Sequence, residues 1–415
     1  MSTRDAGFLR LWGAVSLSQL GDRISELALP LIAAGLLHAS TAEVATLTAL
    51  IWAPNLLAIL LGAWVDQQRR KRRLLVAADL TRALAFATLP IAYLLDTVTL
   101  GHLYTVAVIT GAAGMLFNNA YAPFFARLVP RRSYIDANSK LSTSRSVSYV
   151  AGPAIGGALV QTLTAPIAVL ADALSFLVSA LLIGRIRVDE PPAVPSAEPP
   201  VLTRARQGLR LVVSHPILRA SLGCCTTVNF FTFMASGLTV LFASRTLELS
   251  AGTIGLALGI GAIGSLIGAV TAPRISRHLG VGRTIAVGVV LYAAPTALIA
   301  TAAGPLGVRF SALATAEFIS GFGVMLFDIN LNSLQTTVVP DTMRSRTAGA
   351  FSTINYGVRP AGALVGGLLA TVIGMRPSLL TAAAGGALSV LWLLPSPILR
   401  IRSLEATDLM SNAAT

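Results

Sequence analysis

Asp22, Arg23 and Glu26 lie inside one long apolar run near the start of the chain, about residues 9–37. Asp22 and Glu26 are four residues apart, so on a helix both carboxylates project from one face. Ionisable side chains within an apolar helix cost roughly 2.5–3.5 kcal/mol each on insertion scales, and they mark sites of function by default. Two carboxylates close together in a low dielectric compete for one proton, the chemistry of a group that takes up and releases H⁺ as its surroundings change. Asp22 is the first candidate for that role and Glu26 the second. The competing reading is structural: Arg23, three residues before Glu26, neutralises it. Glu317 and Asp328 sit in the outer and inner parts of a later apolar run, and Arg359 lies in the next. Such an arginine is expected to pair with a carboxylate or to reach towards the membrane surface. Asp79 and Arg82, three apart, read as a structural pair, and Asp172 has no obvious partner. Phe233, with Phe230 and Phe231 beside Asn229, offers aromatic surface to a ligand.

Other chemistry finds little support. Gly259-Ile-Gly261-Ala-Ile-Gly264 matches G-x-G-x-x-G, but it lies within an apolar run without the preceding strand that a dinucleotide site needs. Gly255 with Gly259, and Gly264 with Gly268, read instead as small-residue packing faces. Cys224 and Cys225 are adjacent and cannot staple distant segments; they read as small core residues. The four histidines fall at run ends or in loops, with no paired metal ligands. No nucleophile–base set or Walker lysine sequence appears, so neither an enzyme nor a bound cofactor is expected.

The elements that must position these charges follow from composition. Of 415 residues, 54% are hydrophobic and only 12% charged, and the mean hydropathy is +0.74. Soluble proteins carry about 25% charged residues, so this is a polytopic membrane protein. The net charge of +13 does not indicate nucleic acid, because the cations sit between apolar runs and not on one soluble face. Twelve runs are long enough to cross a bilayer, each needing about 20 residues. They are 9–37, 44–65, 74–95, 103–126, 142–163 and 166–184, then 217–244, 251–273, 284–303, 309–337, 351–373 and 378–398. The first carries internal charges and is followed by many more, so it reads as a span and not as a removed leader. The expected organisation is a six-helix bundle over 1–184, a solvated Pro-rich linker over 185–216, a second bundle over 217–400 and a tail over 401–415. Arg245, Arg309 and Arg376 alone occupy loops on one side; Arg23, Arg82 and Arg359 lie within spans, and the other 25 of 31 cations fall on the opposite side. Positive charge collects in the cytoplasm, which places both termini and the linker there.

The halves are related. Gly111 to Leu159 aligns without a gap on Gly321 to Leu369, an offset of 210 residues that runs through a polar loop. Met115-Leu116-Phe117 recurs as Met325-Leu326-Phe327, Val129-Pro130 as Val339-Pro340, and Gly156-Gly157 as Gly366-Gly367. Asp328 thus repeats Asn118, and Arg359 repeats Tyr149. Six plus six spans in parallel repeat is the layout of transporters whose halves rock about a midplane site.

On these residues the chain resembles the major facilitator superfamily, and within it the enterobactin-exporter-like and macrolide-efflux-like branch. The resemblance rests on Gly21-Asp22, on Gly62-Ala-Trp-Val-Asp66 with its basic loop, and on Gly152-Pro153-Ala-Ile-Gly156-Gly157. The family's loop after span 2 reads G-x-x-x-D-R-x-G-R-R/K; this chain keeps Gly62, Asp66, Arg70 and Lys71 but has Gln67 and Arg69 in place of the first Arg and the Gly. The resemblance implies an all-α fold of two six-helix bundles, with Asp66 latching a cytoplasmic gate. It implies that spans 1, 4, 7 and 10 line the substrate pathway, which makes Asn118, Asn119, Asn229, Glu317 and Asp328 candidates. Gly152, Pro153, Gly156 and Gly157 resemble the antiporter motif of exporters, whose small residues allow close helix packing. Arg359 is a candidate for a gate or cavity ion pair. The expectation is a monomeric exporter of a small amphipathic compound in the bacterial inner membrane, driven by the proton gradient and embedded in lipid. A lipid flippase or importer of the same fold is the alternative, and a membrane receptor is a more distant one.

Overall fold

The computed structural model describes residues 6–130, 133–188, 201–340 and 343–403, and among them the chain is helical with no strand. It divides into two compact units: Met1–Glu198 with Ser250–Gly259, and Pro199–Leu249 with Ile260–Thr415.

The first unit contains α1 (Ala6–Leu31), α2 (Thr41–Trp52), α3 (Ala58–Gln67), α4 (Lys71–Leu94), α5 (Leu100–Leu128), α6 (Tyr134–Leu163) and α7 (Ala165–Gly184). The run 44–65, expected as one helix, is broken: a 3₁₀ stretch, Ala53–Leu57, separates α2 from α3. Pro54 accounts for the break, since it lacks an amide hydrogen and its ring collides with the preceding turn. Helix α1 packs on α6 and α7, and α4 on α5 and α7. Leu11, Leu75, Phe124 and Ile183 form the tight centre of one end, each essentially inaccessible.

The second unit contains α8 (Val201–Ser214), α9 (Pro216–Arg245), most of α10 (Ala251–Leu279), α11 (Val281–Ala293), α12 (Thr296–Thr301), α13 (Leu306–Val338), α14 (Arg344–Ile373) and α15 (Met375–Leu388). Helix α8 falls in the stretch expected to be solvated linker. The five prolines behind that expectation, Pro191, Pro192, Pro195, Pro199 and Pro200, lie outside the described residues. From Val201 the sequence has no proline up to Ser214, and α8 docks on α14: Gly208 lies against the Arg346 backbone, and Arg346 Nη1 donates to Gln207 Oε1 at 2.8 Å. The run 284–303 is likewise split at Pro295 into α11 and α12.

Eight helical stretches among the described residues are long and apolar enough to cross a membrane. The other expected spans fall short for visible reasons. Helix α1 carries Arg10, Asp22, Arg23 and Glu26; α6 begins with a polar half; the α2–α3 run is broken; and α15 passes into a 3₁₀ turn, Ser389–Leu393.

The repeat extends beyond the stretch where sequence identity shows it. Gly152 lies against Leu20 and Arg23, and Gly362 against Phe230; Gly156 lies against Ile24, and Gly366 against Met234. Gly13 faces Leu182, and Gly223 faces Trp392; Gly111 abuts Ile51, and Gly321 abuts Gly261. Apart from that of Gly152 with Arg23, each of these contacts recurs at the same 210-residue offset. The two units are therefore one packing scheme built twice, α1 with α6 and α7 answering to α9 with α14 and α15.

Candidate functional site

Four charged side chains meet inside the first unit. Arg82 of α4 donates through Nη2 to Asp22 Oδ1 of α1. Its guanidinium lies 3.7 Å from the ring centroid of Phe176 on α7, and Gly114 of α5 leaves room beside it. Asp172 of α7 is inaccessible and receives hydrogen bonds from Ser25 of α1 and from Ser175 Oγ at 3.2 Å. Asp79, also inaccessible, accepts from Ser179 Oγ at 2.5 Å through one oxygen, while its other oxygen and Arg82 Nε have no hydrogen-bond partner among the described residues. Three carboxylates thus gather round one guanidinium. Asp22 differs from the others: 34% of its side chain is exposed against none of Asp79 or Asp172.

Gly21 makes this arrangement possible. A Cβ there would run into Asp172 Oδ1 and Ser175 Oγ. Its counterpart is Phe231, whose ring fills the space left by Gly385, the repeat mate of Ser175. The second unit replaces the polar cluster with an aromatic ring: where the first has Asp22, Arg82 and Asp172, it has Thr232, Tyr292 and Ala382.

Arg82 pairs with Asp22 and not with Asp79, which corrects the expected Asp79–Arg82 pair. The three-residue spacing puts them on one face of α4, but the opposing helix supplies a better-placed carboxylate. Glu26 accepts from Arg23 Nη1 at 2.6 Å, the contact that the structural alternative describes, and its side chain is 57% exposed.

In the second unit a cavity of about 270 Å³ opens between α9, α11, α13 and α14. Asn229, Asp328 and Arg359 all line it, with Cys225, Gln335 and Asn355 among the other walls. Arg359 Nε donates to Asn229 Oδ1 at 3.0 Å, and Asn229 Nδ2 donates to Asn355 Oδ1 at 3.1 Å. The Arg359 guanidinium lies over two rings, 4.2 Å from the centroid of Tyr356 and 4.6 Å from that of Phe233. Amide and aromatic groups therefore hold this arginine. Asp328 lines the same cavity within electrostatic reach of Arg359.

Arg359 and Phe233 have an inverted counterpart. In the first unit the cation is Arg23 of α1, 4.3 Å above the ring of Tyr149 on α6. Arg23 is the repeat mate of Phe233, and Tyr149 of Arg359. Both units keep a cation–π contact at this helix crossing with the partners exchanged.

The remaining candidates are scattered. Asn118 is exposed on α5, and Asn119 donates to Met115 O at 3.0 Å beside Gly62. Glu317 lies against Gly261 of α10 and is not part of the Asp328 cavity. A Cβ at Gly157 would run into the backbone of Gly252 and Gly255, the carbonyl of Pro153 abuts Gly255, and Gln161 Oε1 accepts from the Gly252 amide at 3.0 Å. Arg70 is exposed just ahead of α4, and the Asp66 side chain lies outside what is described. Nothing in the sequence singled out Gln335, Asn355 or the Ser25–Asp172 contact.

The family model described as Major Facilitator Superfamily matches residues 11–361 and 222–409. A relative, "Multidrug efflux pump Tap" of Mycolicibacterium fortuitum, is 28% identical over 345 residues, covering 79% of this chain and 80% of that protein. "Uncharacterized MFS-type transporter YfiS" of Bacillus subtilis (strain 168) is 24% identical over 384 residues, covering 89% and 88%. Among solved structures, a bacterial homologue of the iron transporter ferroportin in its inward-facing state superposes with a TM-score of 0.74 at 18% identity, over 94% of this chain and 98% of that one. The nucleoside transporter NupG superposes at 0.73 and 12% identity, again over 94% and 98%. With the family model spanning nearly every described helix and the duplicated packing beneath it, the chain belongs to the Major Facilitator Superfamily and is a membrane transporter, not an enzyme.

Proposed function

We propose that this transporter exports a small amphipathic compound in exchange for protons, with Asp22 as the group that carries the proton. The observation behind this reading is the Asp22–Arg82 ion pair set among two further carboxylates, one of which shares Asp22's helix junction through Ser25. Deprotonated Asp22 holds Arg82; protonated Asp22 releases it towards Asp79 or Asp172, which have no other cation among the described residues. A single proton therefore changes which helices the guanidinium ties together. The efflux direction is supported by the relative named a multidrug efflux pump and by the G-P-x-x-G-G run at 152–157. The bias of arginine and lysine between loops supports a bacterial inner-membrane protein with both termini cytoplasmic.

The test uses everted vesicles carrying a preformed proton gradient. Adding a transported compound should dissipate the gradient with the wild-type protein. Asp22→Asn should abolish that response while the protein still inserts and binds substrate. Full coupling in Asp22→Asn removes Asp22 from the mechanism, and no response to a broad compound panel with the wild type removes proton exchange.

A further inference from the structure

Helix α8 ends at Ser214, and α9, long and apolar enough to cross a membrane, begins at Pro216. The residue between them, His215, is extended at φ −86° and ψ 121°. Pro216 lacks an amide hydrogen and disfavours a helical residue before it, so α8 breaks from the axis of α9 and does not prolong that span. It docks instead on the start of α14, a second helix of spanning length. There a Cβ at Gly208 would run into the Arg346 backbone, and Gln207 Oε1 accepts from Arg346 Nη1. A helix fastened to the first turns of two spans lies at the membrane surface.

The two faces of α8 differ sharply. Gly208 and Val212 are buried, and Val212 packs with Leu218 and Val339. On the opposite face Arg206, Leu209, Arg210 and Val213 are all exposed, the two aliphatic side chains by 40% and 51%. Their spacing of three and four residues sets them in one stripe. A groove of about 400 Å³ follows it, with Thr203 and Gln207 also in its walls. Arg219, exposed in the first turn of α9, adds a further cation nearby in the chain, and the sequence has no Asp or Glu between Glu198 and Glu248.

We propose that the outer stripe of α8 binds the headgroups of anionic phospholipids. Arg206 and Arg210 take the phosphate, and Leu209 and Val213 sit in the glycerol and upper acyl layer. A free phosphate would use the guanidinium groups but not the aliphatic pair set between them, whereas a lipid uses both. The assignment goes beyond the exporter reading and needs neither a proton gradient nor a transported compound.

The test reads α8 itself in the full-length protein. Ser214→Cys, exposed at the end of α8, takes an environment-sensitive fluorophore, while Cys224 and Cys225 are buried. In nanodiscs of phosphatidylcholine with about 30% phosphatidylglycerol, emission should rise and shift to the blue relative to phosphatidylcholine alone. Arg206→Gln with Arg210→Gln should remove about nine-tenths of that difference, and Arg206→Lys with Arg210→Lys should keep most of it. Leu209→Ser with Val213→Ser should roughly halve it. Arg274→Gln with Arg277→Gln, an exposed pair on α10, should leave it intact. Unfolding midpoints in phosphatidylcholine alone should match across the set, and the lysine pair keeps the test decisive if the glutamine pair has lost its fold. Equal emission in the two lipids overturns the assignment, as does a difference that survives the glutamine or the serine pair, or one lost equally with the α10 pair. So does the same response to inorganic phosphate added to phosphatidylcholine nanodiscs, which would make a free anion the ligand.

Discussion

At the scale of single residues, the first unit depends on a glycine as much as on its charges. Gly21 leaves the space that Asp172 and Ser175 occupy beside Asp22, whereas a Cβ at Gly13 on the same helix would meet only Leu182, at an ordinary 3.7 Å. Gly21→Ala should therefore cost about 1–3 kcal/mol through overpacking and abolish transport. Gly13→Ala should be neutral or slightly stabilising, since alanine is the better helix former. Thermal unfolding in detergent compares the two, and equal behaviour would show that the Asp172 carboxylate has somewhere else to go. The charges themselves were visible from composition, because an ionisable group inside an apolar run is rare enough to notice. Their pairing was not. Asp22 finds Arg82 sixty residues away, and local spacing suggested Asp79 for the same arginine. Glu26 was the reverse case: the Arg23 contact written into its own helix is the one that forms.

Elements show the same division between local and distant causes. Helix runs were readable from hydropathy, but Pro54 and Pro295 break two of them at points that an apolar count passes over. Helix α8 shows the opposite error, where a cluster of prolines obscured a proline-free helix just downstream. The turn between α6 and α7 carries a strain that sequence alone does not reveal. Thr164 sits there at φ +82° and ψ 154°, a region open in practice to glycine, and its repeat mate between α14 and α15 is Gly374 at φ +89° and ψ 162°. Thr164→Gly should raise stability by about 1 kcal/mol, the strain relieved less the entropy that glycine adds to the unfolded chain. A lower melting temperature in the variant would mean that the threonine side chain contributes more than its backbone conformation costs.

For the molecule as a whole, the repeat is the organising fact, and identity over 111–159 disclosed only part of it. The glycine contacts carry the same offset through α1, α7, α9 and α15, where few residues match. On this common scaffold the units have specialised: one holds a cluster of carboxylates about an arginine, the other a cavity lined by Asn229, Asp328 and Arg359. Even the sparse arginines of the less basic side have structural work: Arg376 donates to the carbonyls of Ala300 and Ala302 at the end of α12, and Arg309 meets Glu248 at 3.0 Å. The exchanged cation–π contact allows a test of the scaffold's equivalence. Arg23→Phe with Tyr149→Arg copies the second unit's arrangement into the first. The double variant should be more stable than the sum of the single variants by about 0.5–1 kcal/mol, measured as a double-mutant cycle. Simple additivity would show that the two crossings are not interchangeable.

That exchange also constrains how the two halves came to differ. A duplicated ancestor begins with the same residue at both copies of each position, so Arg23 and Phe233, or Tyr149 and Arg359, descend from one starting choice. Moving the cation across a crossing takes at least two substitutions. One order passes through two facing arginines, an unpaired like-charge contact inside an apolar bundle. The other passes through two facing aromatic rings, which such a bundle holds without penalty. The second order is the passable one, so an uncharged crossing in one half is the expected historical intermediate, and the arginine of that half, whether Arg23 or Arg359, is on this account the later arrival.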